Sequence, residues 1–372
     1  MINYLRKKIL AKGYFARQSW TTKKNIHNSH LFNELNLNYR RYGKKNPNKF
    51  FYVIRRIPGA GFFSNLNFVV HNLYICESLG MIPVVDMQNY QTIYNCKTKI
   101  KNTLNSWNYY FKPVSKYKLE EVYKSKNVIL CDNRTSNRGY DKKLYTSYSI
   151  FINFHGFHFL DNRHKKIMKK YIRIKEDIAK EANNFYKKYK NKKVLGVCFR
   201  GSDQKTSAYT PYTPTEKQMV FAVNTLLKKN NFDHIYLCTE DLDYLNFFKR
   251  KYKDKLIYNN FPRTTDKVDL FNYPSKNHRY KIGRGNLIDG LILSNVNHLL
   301  FACSNIPYAS LFFAKKKIPY SVIENGVKGG VFTAGFSFYV RKFLPPFLGG
   351  FKNHLINRTK ATKSKNSDFS RI

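Results

Sequence analysis

The residues able to do chemistry gather where apolar runs stop. "VLGVCFRGSDQK" (194–205) climbs through apolar and small residues to Arg200, with Asp203 three positions on. "HIYLCTED" (234–241) stops at Thr239, Glu240 and Asp241, and "HLLFACSN" (298–305) at Ser304 and Asn305. An arginine in such a place offers planar, permanently charged donors that suit a phosphate. The plain alternative is a structural Arg200–Asp203 pair. The acids of "TED" resemble a metal-binding DxD motif, but two adjacent acids opening a helix are explained as well by capping, and no metal is expected. In "GNLIDGLILS" Asp289 reads as the start of a helix, either complementing its dipole or accepting hydrogen bonds from a purine edge. The turn "PGAGFFSNLN" (58–67) lacks both GxGxxG and the GK[ST] of a phosphate loop. Gly61 and Asn65 there can bring a ligand to the N–H groups of a helix start, or simply turn the chain.

The elements that must position these residues alternate. "FFYVIRRI" (50–57), "MIPVVDM" and "NVILCD" (127–132) read as strands, with a helix "FSNLNFVVHNLYICESLG" after the first. A single basic helix is expected over roughly 164–190. Then "KVLGVCF", "HIYLCTE", "KLIYN", "HLLFACS" and "PYSVIE" read as strands separated by helices, one opened by a capping box in "TPTE" (213–216) with Pro at its first position. Near-continuous apolar strands between helices imply parallel sheets covered on both faces. The expected fold is α/β: two Rossmann-like domains with parallel sheets facing a cleft. The expected divisions are a basic extension (1–49), a first domain (50–165), a second domain (166–335) and a basic aromatic segment with a disordered tail (336–372). Ligands of such sheets bind off the carboxyl ends of the strands, and Arg200, the Thr239–Asp241 triplet and Ser304–Asn305 all end strands.

The chain has 372 residues, with 67 Lys and Arg against 23 Asp and Glu, a formal charge of +44. Residues 1–49 hold twelve of the bases against Glu34 alone, and residues 336–372 hold eight against Asp368 alone. Such an excess predicts affinity for something anionic. Apolar residues at 42% and aromatics at 16% argue against global disorder. No run is long enough for a membrane span, and the first twenty residues lack the apolar core of a secretory signal. The six cysteines show no metal-ligand spacing. A cytoplasmic chain is the natural expectation. "FTAGFSFYVRKFLPPFLGGFKNHL" (332–355) interleaves aromatic and basic residues, either packed on a core or lying on an anionic membrane. "WNYYF" (107–111) reads as core before sugar-stacking wall.

In their order these motifs resemble the inverting fucosyltransferase superfamily, the α1,6-fucosyltransferases with the protein O- and α1,2-fucosyltransferases. The resemblance spans roughly 50–325. "CFRGSD" resembles the family's H-x-R-R-x-D segment, "TED" its T-D-D, "DGLILSNVNHLLFACSN" its D-x-x-x-L-S…S-S, and "GAGFFSNLN" its G-x-x-G-N-Q turn. It implies a GT-B-like arrangement, with 50–165 the acceptor-side and 166–335 the nucleotide-sugar-binding domain, and a GDP-sugar donor, GDP-fucose first, with no cofactor or metal. Gly61, Asn65, Arg200, Thr239, Glu240, Asp241, Asp289, Ser304 and Asn305 would bind that donor. Arg200 would neutralise the leaving diphosphate, Asp289 would recognise guanine, and Asp203 would be a candidate base. The acceptor would be a glycan or lipid-linked glycan, with peripheral attachment to a membrane. Cys198, Gly201 and Asn305 stand where the family has histidine, arginine and serine. Two other readings remain open: a nucleic-acid-binding protein, disfavoured because the bases are spread along the chain, and an inactive glycan-binding relative.

Overall fold

The computed structural model describes residues 39–56, 61–131, 162–208, 210–265, 271, 275–302, 304–353 and 355–358. They form two compact units, the first running to Lys175 and the second starting at Glu176.

The first unit is built on β1 (Tyr39–Arg40), β2 (Lys45–Ile54), β3 (Ile82–Val85) and β4 (Ser125–Leu130), in the order β1-β4-β2-β3. β2 runs parallel to β3 and β4, and the short β1 runs antiparallel to β4. The apolar run ending β2 is fully buried, as a parallel strand covered on both faces must be. Helix α1 (Phe62–Ser78) makes the β2–β3 crossover. "WNYYF" is core: Trp107, Tyr109, Tyr110 and Phe111 are buried, and Trp107 stacks on Phe111 at 4.4 Å between ring centres. Trp107–Tyr110 is the short helix α2, and Leu119–Val122 is α3.

The expected basic helix over 164–190 is two helices, α4 (Asn162–Tyr171) and α5 (Glu176–Lys188). Tertiary pairing overrides the helical pattern between them. The Arg173 carbonyl accepts from Lys112 N at 2.7 Å, and Lys175 N donates to the Tyr110 carbonyl at 2.9 Å. Those backbone groups cannot also serve a helix.

The second unit has β5 (Val194–Cys198), β6 (His234–Cys238), β7 (Leu256–Ile257), β8 (His298–Ala302), β9 (Tyr320–Ile323) and β10 (Ile356–Arg358), ordered β10-β9-β8-β5-β6-β7. The first five are parallel, and β10 is antiparallel to β9. The tail expected to be disordered therefore contributes an edge strand at Ile356–Arg358; residues 359–372 lie outside the described residues. Helices α6 (Glu216–Lys229), α7 (Leu242–Tyr252), α8 (His278–Leu293) and α9 (Asn305–Phe313) make the crossovers, and α10 (Val331–Phe343) follows β9. From β5 the chain builds β6 and β7 on one side, then crosses back to build β8 and β9 on the other. The connections leaving β5 and β8 thus depart in opposite directions. That is the topological switch point at which open parallel sheets hold ligands.

The fold also sorts the charge. Helices in such a unit run against the strands, so their C-termini meet at the amino edge of the sheet. Lys187 and Lys188 end α5, Lys228 and Lys229 end α6, and Lys249, Arg250 and Lys251 end α7. Each complements its own helix dipole. Topology turns that local preference into one cationic edge, joined by the exposed Lys315, Lys316 and Lys317 after α9. Bases that look scattered in sequence are gathered in space. Among the described residues no helix is long and apolar enough to cross a membrane.

Candidate functional site

The site grows from the ends of β5 and β8. Beyond Cys198 the chain leaves the sheet at Phe199 and Arg200, and beyond Ala302 it reaches Ser304. Cys198 Sγ lies 4.0 Å from Ser304 Oγ, so the two departing loops are neighbours. Ser304 is the N-cap of α9, yet its side chain makes no capping bond. Asn305 opens the helix with a buried Oδ1 that has no hydrogen-bond partner. A helix start with an idle cap hydroxyl and an unsatisfied side-chain amide oxygen is suited to an incoming polar ligand.

Arg200 is 29% exposed in its side chain and pairs with Glu240, Nε to Oε1 at 3.2 Å. Gly201 N donates to the same Oε1 at 3.0 Å. Two donors from the β5 loop thus converge on one anionic oxygen, which comes from the loop after β6. Asp203 lies in the short 3-10 turn Ser202–Lys205. The backbone of Arg200 is fixed by Thr213, whose Oγ1 donates to the Arg200 carbonyl. That bond relocates the expected capping box. With Thr213 committed to the β5 loop, Thr215 is the N-cap of α6 and Gln218 its reciprocal partner, and Pro214 precedes the helix instead of opening it.

Thr239 and Asp241 are structural in a way the sequence only half shows. Asp241 N donates to Thr239 Oγ1 at 3.2 Å, while Asp241 Oδ1 accepts from the N–H groups of Asp243 (2.9 Å) and Tyr244 (3.1 Å), capping α7. Its Oδ2 meets Lys205 Nζ at 3.3 Å, and the ammonium lies over the Tyr244 ring at 4.7 Å. Both partners of this ion pair are buried. Gly201 abuts the same carboxylate: a Cβ there would stand 2.2 Å from Asp241 Oδ2. Asp241 thus fills the space that any side chain at position 201 would need.

Asp289 is not at a helix start. α8 begins at His278, so Asp289 lies in its C-terminal half, where a negative charge opposes the dipole. Gly285, on the same helix, serves close packing: a Cβ on it would stand 2.4 Å from the Phe261 ring. Asp289 is fully buried, accepts from the Tyr236 hydroxyl at 2.6 Å, and leaves Oδ2 without a hydrogen-bond partner. Burial pushes its carboxyl up to about 6, against the opposing charge of Arg263 and the Tyr236 bond. Arg263 is itself held by backbone carbonyls, Nε to Thr239 (2.9 Å) and a terminal nitrogen to Asn259 (2.6 Å). This cation, in the loop that follows the two-residue β7, carries no signal in sequence. Lys205 and Thr213 are equally inconspicuous there.

A pH test follows. The folded state holds the Asp289 proton between its ordinary 3.8 and about 6, while the unfolded chain releases it. Stabilisation from this group is therefore complete below the lower value and is lost as pH rises through the upper. His298, beside the Ser321 hydroxyl at 2.8 Å, is pushed down to about 4 by burial and acts in the opposite sense, losing stability as pH falls from 6.5. The two offset each other in wild type, so the variant comparison isolates one of them. Asp289→Asn is expected to gain on wild type by on the order of 2–3 kcal/mol between those two pH values, read from paired thermal melts. A constant difference would refute the shift.

In the first unit, Gly61 is the extended N-cap of α1, and a Cβ there would meet open space. Its carbonyl accepts from Asn65 N at 3.0 Å, and the Asn65 side chain is buried. Residues 57–60 of the turn lie outside the described residues. The structure thus brings Arg200, Glu240, Asp241, Ser304 and Asn305 to one sheet edge, places Asp289 beneath the β6–β7 side of it, and puts Gly61 and Asn65 at a helix start of the other unit. Among the described residues, no group of three or more His, Cys, Asp or Glu side chains is placed to hold a metal.

No protein-family model matches the chain, and no match to a curated protein is found. Among solved structures it is similar to the fucosyltransferase NodZ from Bradyrhizobium, at 13% identity over 76% of this chain and 99% of that one, with a TM-score of 0.44. It is similar to POFUT1 in complex with GDP-fucose at 9% identity over 75% and 98% of the two chains, TM-score 0.41. It is also similar to a mutant of Arabidopsis thaliana FUT1 in complex with GDP at 9% identity over 76% and 72%, TM-score 0.41. Likeness at these TM-scores carries no weight for function, which has to rest on the site.

Proposed function

We propose that this chain is a glycosyltransferase that moves a sugar from a GDP-sugar, GDP-fucose first, onto a hydroxyl of a glycan. The observation that carries the reading is the junction of β5 and β8. There a solvent-accessible arginine meets a helix start with an idle N-cap hydroxyl and an unsatisfied buried amide oxygen, at the switch point of the sheet. The diphosphate sits against Arg200 and the first turn of α9, with the backbone N–H groups of that turn and the Ser304 hydroxyl donating to it, while the Asn305 amide oxygen is left to accept from a hydroxyl or N–H of the donor. Glu240 holds Arg200 in place until the anion arrives. The base extends toward the loop after β7, where Oδ2 of Asp289, without a hydrogen-bond partner, is the acceptor for a purine donor.

An acceptor oxygen then attacks the anomeric carbon from the face opposite the diphosphate. The new C–O bond forms as the bond to the phosphate oxygen breaks, with inversion. The acceptor's proton passes to a carboxylate, for which Asp203 is the candidate. Negative charge grows on the departing diphosphate, so a preorganised guanidinium and a helix N-terminus stabilise the transition state more than the ground state. In this reading they do the work without a metal. Gly61 and Asn65, at the start of α1 in the first unit, are kept as donor-binding candidates. The reading includes work at the surface of an anionic membrane, through a face of the folded chain rather than a spanning helix.

Calorimetric titration with GDP, UDP, ADP and GDP-fucose in EDTA tests it. GDP-selective binding that survives EDTA supports the reading. UDP selectivity keeps a glycosyltransferase but removes fucose. Absence of binding to all four overturns it. The nucleic-acid alternative now has one observation in its favour, the cationic amino edge, and predicts a steep salt dependence with no nucleotide-sugar affinity.

A further inference from the structure

Helix α10 wears its apolar face outward. At 100° per residue, Phe332, Phe336, Tyr339, Val340 and Phe343 fall within an arc of about 100°. All five are exposed, Phe332 by 96% and Phe343 by 82%. The opposite face packs on the unit through the buried Ala334 and Phe338. Arg341 anchors it, Nε to the Gly349 carbonyl at 2.8 Å, with its guanidinium over the rings of Tyr212 and Phe351. The stripe is therefore presented by a helix held firmly from behind. It is continued by Phe347, 84% exposed, and Leu348 in the turn that follows. A surface helix of a water-soluble face has the reverse pattern.

Its place in the fold ties it to the site. The segment entering α10 is zipped to the segment leaving the Arg200 loop: Tyr212 N donates to the Gly326 carbonyl at 3.0 Å, and Lys328 N to the Thr210 carbonyl at 2.9 Å. α10 also packs against the Ser202–Lys205 turn. The aromatic stripe thus belongs to the carboxyl edge of the sheet, the same edge as Arg200, and not to the lysine-rich amino edge.

We propose that this stripe seats the protein on an anionic lipid bilayer, with the β5–β8 junction turned toward it, so that the acceptor is a glycan borne on a lipid. The choice of acceptor rests on the glycosyltransferase reading; the docking does not. Charge complementarity decides the occupant. No carboxylate occurs in the sequence between Glu324 and Asp368; Lys352 flanks the stripe, as does Lys342, which is paired with Glu216 at 3.1 Å, and the whole chain carries +44. A second copy would bring another +44 against the first, whereas an anionic surface is attracted. Phe and Tyr beside Lys and Arg is the composition of an interfacial helix, and thirteen residues are far too few to span.

The test is co-sedimentation of the full chain with phosphatidylcholine vesicles, with and without phosphatidylglycerol. Wild type is compared with Phe332→Ser/Phe336→Ser/Phe343→Ser and with Lys315→Glu/Lys316→Glu/Lys317→Glu. The three Phe side chains are exposed, so that variant is expected to fold. Wild type is expected to bind the anionic vesicles, the Phe variant to bind roughly tenfold or more weakly, and the Lys variant to keep most of its binding. Equal binding by wild type and the Phe variant overturns the proposal, as does no binding by wild type. So does loss in the Lys variant alone, which would assign the membrane to the amino edge. A wild-type dimer that the Phe variant dissolves, seen by light scattering, overturns it in favour of a second copy. GDP titration on the same proteins keeps the two ideas apart. Vesicle binding without GDP binding removes the glycosyltransferase and leaves the docking, and the reverse result does the opposite.

Discussion

Arg200→Ala is expected to lower GDP affinity by roughly 10²–10³-fold, equivalent to about 3–4 kcal/mol, while barely moving the melting temperature. The two effects separate because of where the side chain sits. Its pair with Glu240 is partly exposed, and such pairs contribute little to stability once solvent screening is counted. Its worth to a bound diphosphate is far larger, because the ligand, helix α9 and the guanidinium shield one another from water. If transfer is measured, kcat should fall along with kcat/KM, since the charge that Arg200 meets is greatest in the transition state. Arg200→Lys should recover only part of the loss, for an ammonium cannot reproduce the planar fork. GDP binding that is unchanged in Arg200→Ala would remove this residue from the donor site.

Gly201→Arg, which restores the arginine that the resembled family carries, is expected to destroy the site instead of improving it. Even the first carbon of any side chain meets Asp241, 2.2 Å from Oδ2 and 2.9 Å from Cβ and Cγ. Asp241 cannot step aside cheaply. It caps α7 and is paired with the buried Lys205, and stripping a buried cation of its partner costs about 3–5 kcal/mol, with about 1 kcal/mol more for the cap. Gly201→Ala should show most of this cost, a fall of on the order of 10 °C in melting temperature for a unit of this size. The same Gly201→Ala change made in an Asp241→Gly background should cost little further, because the obstructing carboxylate is gone. Additive losses in that double-variant comparison would refute the steric account.

That Arg200, Thr239 and Ser304 stand at one edge of the sheet was legible in the sequence because period and breakpoints are local properties. Apolar runs that stop at Arg200, Thr239 and Ser304 mark strand ends whatever the rest of the chain does, and parallel strands end at a common edge. The core position of Trp107–Phe111 was legible for the same reason. The sequence did not show what each polar group would meet, and several residues changed meaning when the chain closed. Thr213 was read as a cap and instead holds the Arg200 carbonyl, moving the cap to Thr215. Asp289 was read at a helix start and lies in the C-terminal half of α8, which begins eleven residues earlier at His278.

By itself, then, the sequence determined the alternation of strands and helices, the residues that would stand at the carboxyl edge, and the excess of positive charge. Only tertiary structure decided that the strand order puts the switch point between β5 and β8, that Glu240 pairs with Arg200, and that Asp241 leaves no room beside Gly201. It also decided that lysines ending separate helices share one edge, and that the aromatic side of α10 faces away from the core. The reason is common to all of these. Strand and helix preferences are set by neighbours a few positions away, whereas pairing, steric exclusion and facing depend on residues tens to hundreds of positions apart, which local pattern cannot encode.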